Sequence, residues 1–251
     1  MVYGKKENSY LQNGNKKMTK PLITLYTHTD AKDVWSAWYG QYQKYLSDYD
    51  LCLCVNSGVD IENEPISQHQ IVYYNNEQTY TQRLDHIMKQ LGERTILFLH
   101  EDMILYSEVD HERIEEYTQL IENDQAKSIK LIYAGDMFYL SSVHDELVKN
   151  DYSKFSIQPT IIKTQTLVKI LNNVGNLNIW DFENAIVNND GHYMAKVGGE
   201  TKRGMFHFDS MVFPYIATAI VKGKWNMSEY PSELGNIFSE YKIDPQIRGN
   251  T

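Results

Sequence analysis

LFLHEDMIL, residues 97–105, carries an apolar run into three consecutive ionisable side chains, His100, Glu101 and Asp102, and then turns apolar again. An unpaired charge is costly to bury. A hydrophobic strand that ends this way is therefore expected to deliver its charged tip to a rim, where a cation, a phosphate or a structural arginine meets it. Alternation along a strand puts His100 and Asp102 on one face and Glu101 on the other. One carboxylate and one imidazole on a common face suit a divalent cation: oxygen ligands fit Mg2+ and Mn2+, and Mn2+ also accepts imidazole. The plainer reading is an ionic knot, with Arg83 or Arg113 as the partner.

Outward from this stretch the chain alternates strand and helix. LITLYTH (22–28), LCLCVN (51–56), IVYYN (71–75), TILFLH (95–100) and SIKLIYAG (128–135) read as strands, by short apolar runs bounded by turn residues. DAKDVWSAWYGQYQKYL, TYTQRLDHIMKQLG (79–92) and HERIEEYTQLIEN (111–123) space their apolar residues as amphipathic helices. Asp30 or Asp33 is the expected cap of the first of these and Asp110 of the third, with Gly92 ending the second. Such alternation predicts βαβ units around a mainly parallel sheet flanked by helices, an α/β fold of the Rossmann-like kind. Ligands of such sheets gather at the carboxyl ends of the strands. The His100–Asp102 tip lies at one such end, and Thr27, His28 and Asp30 at another.

The remaining third is less regular. FSIQPTIIKTQTLVKIL (155–171) reads as a strand or loop through Pro159 and then a helix. WDFENAIV (180–187) reads as a helix start, and SEYPSELGNIFSEYKID (228–244) as a closing helix. The opening MVYGKKENSYLQNGNKKMTK is polar and aperiodic, so residues 1–20 are expected to be a flexible tail, with Met18 an alternative start. Residues 21–251 are expected to form a single domain.

Composition narrows the function. The 251 residues carry a formal net charge of −9, which disfavours a general affinity for nucleic acid or anionic membrane. No apolar run approaches a membrane span. The two cysteines, Cys52 and Cys54, fall on one face of a strand and are expected to be buried thiols in a reducing, cytoplasmic setting, with peripheral membrane association left open. GxxxxGK[ST], GxGxxG, GxSxG and HExxH motifs do not occur.

The strand ILFLHED, following the helix TYTQRLDHIMKQLGER, resembles the acid-x-acid strand of GT-A-fold nucleotide-sugar-dependent glycosyltransferases of the bacterial and viral polysaccharide type. The segment SIQPTIIKTQTLVKIL followed by WDFENAI is similar to their acceptor-side segment. The resemblance covers about residues 22–190, and His100 stands where many members have the first acid. It implies a GT-A-like domain with a nucleotide-binding half (21–135) and an acceptor-binding half (136–251). Asp102 would be the chief contact to a Mn2+ or Mg2+ ion or to the donor diphosphate, with His100 or Glu101 assisting and His207 as a further metal ligand. Thr27, His28 and Asp30 would border the nucleotide, and Gln158 and Trp180 would lie on the acceptor side. The reaction implied moves a sugar from a nucleoside-diphosphate donor to a hydroxyl of a glycan or lipid-linked saccharide.

A hydroxyl acceptor needs a base. Asp181 and Glu183 are the candidates, Glu183 first. On a helix they lie about 200° apart, so only one can face a cleft. Their plainer roles are a helix cap and a surface ion pair. Lys202, Arg203, Lys222 and Lys224 are cations suited to a leaving diphosphate, and the glycines around Lys202 and Arg203 fit either a closing loop or a solvated turn. Dedicated base catalysis suggests inversion at the anomeric carbon. Two other classes stay open: a nucleotidyltransferase on a related sheet, whose glycine-rich basic loop THTDAKD does not provide, and a non-catalytic glycan-binding or assembly protein.

Overall fold

The computed structural model describes residues 19–58, 60–133, 143–150, 155–188, 190–196, 201–203 and 208–251. Most of the expected N-terminal tail, and His207, lie outside these residues. Within them the strands are β1 (Leu22–Tyr26), β2 (Leu51–Asn56), β3 (Gln70–Tyr74), β4 (Thr95–His100), β5 (Ile104–Leu105), β6 (Ser128–Lys130), β7 (Leu147–Lys149), β8 (Thr160–Lys163), β9 (His192–Ala195), β10 (Tyr215–Ile216), β11 (Ile220–Val221) and β12 (Lys224–Trp225). The helices are α1 (Lys32–Tyr45), α2 (Tyr80–Leu91), α3 (His111–Glu122), α4 (Thr164–Val174), α5 (Ile179–Asn184) and α6 (Pro231–Tyr241).

Eight of these strands form one sheet in the order β3-β2-β1-β4-β8-β6-β9-β7. β3, β2, β1 and β4 run parallel, as do β6 and β9, while β8 opposes both of its neighbours and β7 opposes β9. The expected fold class is the one observed: a mainly parallel sheet flanked by helices. The central strands β2 and β4 are buried along their whole length, because helices cover both faces of a parallel sheet. Their near-continuous apolar sequences follow from that double burial. Cys52 and Cys54 are free, buried thiols, as expected.

Local chemistry sets the helix ends. Asp110 caps α3 by accepting the Arg113 N–H at 3.0 Å. Thr79 and Gln82 form a reciprocal capping box on α2, and Gly92 ends it at φ +69°. Neither Asp30 nor Asp33 caps α1. A short 3-10 turn, Thr29–Ala31, intervenes, capped by the His28 ring accepting from the Asp30 N–H, and Ala31 precedes α1 without a side-chain cap. One apolar core runs from Ile23 on β1 to Phe238 on α6. The stretch Phe213–Ala219 packs into it through Phe213, Tyr215, Ile216 and Ala219. Near the end of the chain, Trp225 and Asn250 form a parallel bridge that ties the last residues to β12.

Candidate functional site

The site begins where β4 stops. Hydrogen bonding is strand-like through His100, after which Glu101 and Asp102 form a turn closed by the Met103 N–H donating to the His100 carbonyl at 3.1 Å. Alternation therefore ends at His100, and His100 and Asp102 do not act as a same-face pair. The His100 ring turns into the core, packed 5.0 Å from Tyr26 and at 2.8 Å from the Tyr80 hydroxyl through Nε2. Burial pushes its pKa down to about 3. His100 is thus an uncharged imidazole beneath the turn, with one ring nitrogen already engaged. Its ring ¹³C and ¹H shifts are expected to stay flat from about pH 8 to about pH 5, and a midpoint near the ordinary histidine value would instead place the ring in water.

Glu101 and Asp102 stand at the carboxyl rim. Burial raises Asp102 to about 6; hydrogen bonding to its own backbone opposes the shift, and Glu183 adds repulsion. Burial also raises Glu101, to about 8, helped by repulsion from Asp102 and opposed by its own backbone N–H, Arg248 and Thr27. Neither carboxylate forms an ion pair with a described residue. Both candidates for an ionic knot are occupied elsewhere. Arg83 donates to the Gln78 and Asn76 carbonyls and to the Tyr26 hydroxyl. Arg113 pairs with Glu116 and Glu146.

Glu183 approaches from the other side on α5. The Asn178 side chain caps this helix, accepting from the Asp181 N–H at 3.0 Å. Phe182 is buried between Tyr80 and Phe155. That anchor turns Glu183 inward and leaves Asp181 exposed, so only one of the two acids faces the protein, as helical geometry requires. Glu183 Oε1 accepts the Ile157 N–H at 2.8 Å. Burial raises its pKa, while the Ile157 N–H and Lys130 pull it down. Lys130, only 8% exposed at the end of β6, is lowered to about 8 by burial against the pull of Glu183, and it donates to Ser156.

The other expected site residues are distributed around this cluster. Thr27 is buried, its hydroxyl accepting from Trp35 Nε1 at 2.8 Å. His28 and Asp30 lie at the rim beyond β1, with Asp30 solvent-exposed. Gln158 accepts the Tyr215 hydroxyl, and burial near Asp102 holds Tyr215 firmly protonated. Trp180 is 66% exposed, whereas Trp225 is core. Lys222 occupies the β11–β12 turn at φ +49°, followed by Gly223 at +80°, which matches the left-handed pair of a tight hairpin. Lys202 is exposed and forms a bridge with Phe208.

Arg203 is tied into the protein: it pairs with Asp209 at 3.0 Å and with Glu233, and its guanidinium lies 4.6 Å from the Tyr230 ring centroid. Substituting Arg203→Ala would strand two half-buried carboxylates, so it is expected to cost about 2 kcal/mol, or about 4–8 °C in Tm. Thermal melting measures this. An unchanged Tm would show that the arginine is free for another task.

Two charged residues of this neighbourhood were not picked out from the sequence. Lys130 had a visible sign, a lone lysine inside the apolar strand SIKLIY. Arg248 had none. It lies in the last turn of the chain and reaches Asp33 with two 2.5 Å contacts, while donating to the Asp30 and Gly223 carbonyls. Its field also reaches Glu101.

Among the described residues no group of three or more His, Cys, Asp or Glu gathers as a metal cluster. The donor chemistry of Glu101 and Asp102 nevertheless fits Mg2+ or Mn2+. Such ions are commonly held by one or two carboxylates, with substrate phosphates completing the shell. Two adjacent carboxylates held above their ordinary pKa would be relieved by a cation. No described helix is long and apolar enough to cross a membrane.

No family model and no curated protein matches the chain. Solved structures do. A cytidylyltransferase from Leptospira borgpetersenii is similar at 11% identity, covering 91% of this chain and 98% of its own, with a TM-score of 0.48. An apo-UDP-glucose pyrophosphorylase is similar at 8% identity, covering 89% and 99%, with a TM-score of 0.49. S. aureus TarS 1–349 in complex with UDP is similar at 13% identity, covering 70% and 60%, with a TM-score of 0.42. At these identities the likeness is one of fold alone.

Proposed function

We propose that the chain is a glycosyltransferase that moves a sugar from a nucleoside-diphosphate donor to a hydroxyl of a glycan or lipid-linked saccharide. The observation that carries this reading is the pair formed by Asp102 and Glu183. Two carboxylates from separate halves of the chain come together near the end of β4, where Glu183 adds repulsion to Asp102; burial raises both, and neither forms an ion pair with an arginine among the described residues.

The division of labour follows from the chemistry. Asp102, with Glu101, would hold a Mg2+ or Mn2+ ion; when bound, that ion supplies positive charge to a departing diphosphate. Glu183 sits in the acceptor half. Its Oε1 is fixed by the Ile157 N–H, which leaves Oε2 to take a proton from the acceptor hydroxyl. A carboxylate with a raised pKa suits this task, because the best base titrates near working pH. Attack by that hydroxyl on the face opposite the leaving diphosphate would invert the anomeric centre. Lys130 pulls the Glu183 carboxyl back toward its ionised form, against the effect of burial. Thr27, His28 and Asp30 border the donor in this reading, and Gln158 and Trp180 the acceptor.

Nucleotidyl transfer to a sugar phosphate uses a similar rim, but its nucleophile is a phosphate that is already anionic and needs no base. A third carboxylate beside such a nucleophile would repel it. Calorimetry with UDP, GDP, dTDP and CMP, with and without Mn2+, followed by analysis of the products, separates the readings. Metal-dependent nucleotide binding and release of a nucleoside diphosphate from a nucleotide sugar are expected. Release of pyrophosphate from a nucleoside triphosphate would replace this reading with nucleotidyl transfer. Binding of none of these nucleotides would replace it with a non-catalytic role.

A further inference from the structure

A groove lies along α2 and the end of α4, on one face of the sheet. β8 runs antiparallel to β4, so α4, which follows it, returns toward the rim where β4 ends; α2 starts at that rim and runs away from it. Where the two helices diverge they leave a groove of about 440 Å³, walled on the α2 side by Gln78, Gln82 and His86 and on the α4 side by Asn172 and Asn176. From Thr81 to Lys89 it extends about 12 Å at the helical rise. Thr81 lines its rim end and bonds the Gly175 and Leu177 carbonyls and the Leu177 N–H, tying the groove to the segment that leads into α5.

The lining has a consistent chemistry. Its two opposite charges, Asp85 and Lys89, neutralise each other in a 2.5 Å contact. What remains is largely planar amide. The side chains of Gln78, Asn172 and Asn176 hydrogen-bond to no described residue. Gln82 spends its carbonyl oxygen on Thr79 and leaves its NH2 group as a donor. Asp85 Oδ1 is covered and unpartnered. A wall of amides offers donors and acceptors side by side and no net charge, which matches vicinal hydroxyls better than a phosphate, a carboxylate or an ammonium group. Trp180, four residues beyond Asn176 and largely exposed, supplies an apolar face on which a sugar ring can rest.

We propose that this groove is a distal acceptor subsite that holds an uncharged oligosaccharide chain whose end is presented to Glu183. The inference rests on the reading of the Glu183 side as the acceptor side. Its test is direct binding of chitohexaose and maltohexaose, followed by ¹⁵N-resolved NMR of side-chain amides and by calorimetry, in the wild-type chain and in the double variant Asn172→Ala/Asn176→Ala. One hexaose is expected to shift the Asn172 and Asn176 amide signals and to bind about tenfold more weakly to the double variant, since two hydrogen-bonding amides are lost. The inference is overturned if neither hexaose binds, if the double variant binds as tightly as wild type, or if an acidic oligogalacturonide binds the groove more tightly than either neutral chain. Nucleotide calorimetry on the same samples keeps the two readings apart. A hexaose in the groove without any nucleotide binding would leave an oligosaccharide-binding groove without its acceptor role and remove the transferase.

Discussion

Asp102→Asn is expected to abolish turnover, by about 10³-fold or more, and at the same time to make the protein harder to melt. The first effect follows from replacing the carboxylate that would face the cation and diphosphate with a neutral amide of the same shape. The second follows from linkage. In the folded chain the Asp102 carboxyl is raised from 3.8 to about 6, so the fold binds its proton more tightly than the unfolded chain does. Well below 3.8 the group is protonated in both states and has no net effect on stability. As pH rises toward 6 the folded state pays a growing penalty for ionising it, and above 6 that penalty is constant. A shift of about two units corresponds to about 3 kcal/mol at most. Asparagine cannot ionise, so the variant should melt about 3–8 °C higher than wild type near pH 8, with the difference closing well below pH 3.8. Relief of Asp102 repulsion should also bring the Glu101 titration below its value of about 8. Scanning calorimetry across pH and a nucleotide-release assay read both sides. Wild-type turnover in a folded Asp102→Asn chain would remove this residue from the chemistry, and a lower Tm at pH 8 would show that its charge is stabilised in a way the described neighbours do not account for.

The parts of the molecule legible in the sequence were those governed by short-range periodicity. β1 to β4 and α1 to α3 show themselves because a doubly covered parallel strand must be apolar along its length, while a helix packed on one side must repeat its apolar residues near 3.6. The rim position of Glu101 and Asp102 was legible for the same reason, since an apolar strand cannot continue through them. The role of His100 was not. Alternation placed it beside Asp102, but alternation is a property of extended backbone, and the chain turns immediately after His100. The antiparallel insertion of β8 between β4 and β6 was hidden because strands of three or four residues carry too little pattern to assign partners. Arg248 beside Asp33, and Lys130 beside Glu183, join residues far apart in the chain. Such pairings are set by how elements dock, and a sequence shows only that a charge is present. The inward turn of Glu183 was legible in part: helical spacing permits one acid of WDFE to face in, but the buried ring of Phe182 decides which one.

Glu183→Gln is the second large effect, and it separates base catalysis from simple occupancy of the rim. Glutamine keeps a carbonyl oxygen for the Ile157 N–H, so the α5 segment stays anchored through that contact and through Phe182. What changes is the second oxygen, now an NH2 that cannot take a proton. If Glu183 removes the acceptor proton, kcat falls by about 10²–10⁴-fold, while donor KM stays near wild type because the donor is held elsewhere. The pH profile gives a sharper reading. Burial holds the Glu183 carboxyl above the ordinary glutamate value, with the Ile157 N–H and Lys130 opposing, so wild-type kcat/KM should rise with pH through a midpoint above about 4.5 as the carboxylate forms. In Glu183→Gln that rising limb should vanish, leaving a slow and pH-flat rate. Lys130→Met should move the limb further upward, since the cation that favours the ionised form is gone. The product of the wild-type reaction should carry the inverted anomeric configuration by NMR. A rising limb that survives in Glu183→Gln would assign the titration to another group, Asp102 or Glu101. Retention of configuration would remove Glu183 as a base altogether, because a hydroxyl activated opposite the leaving group can only invert.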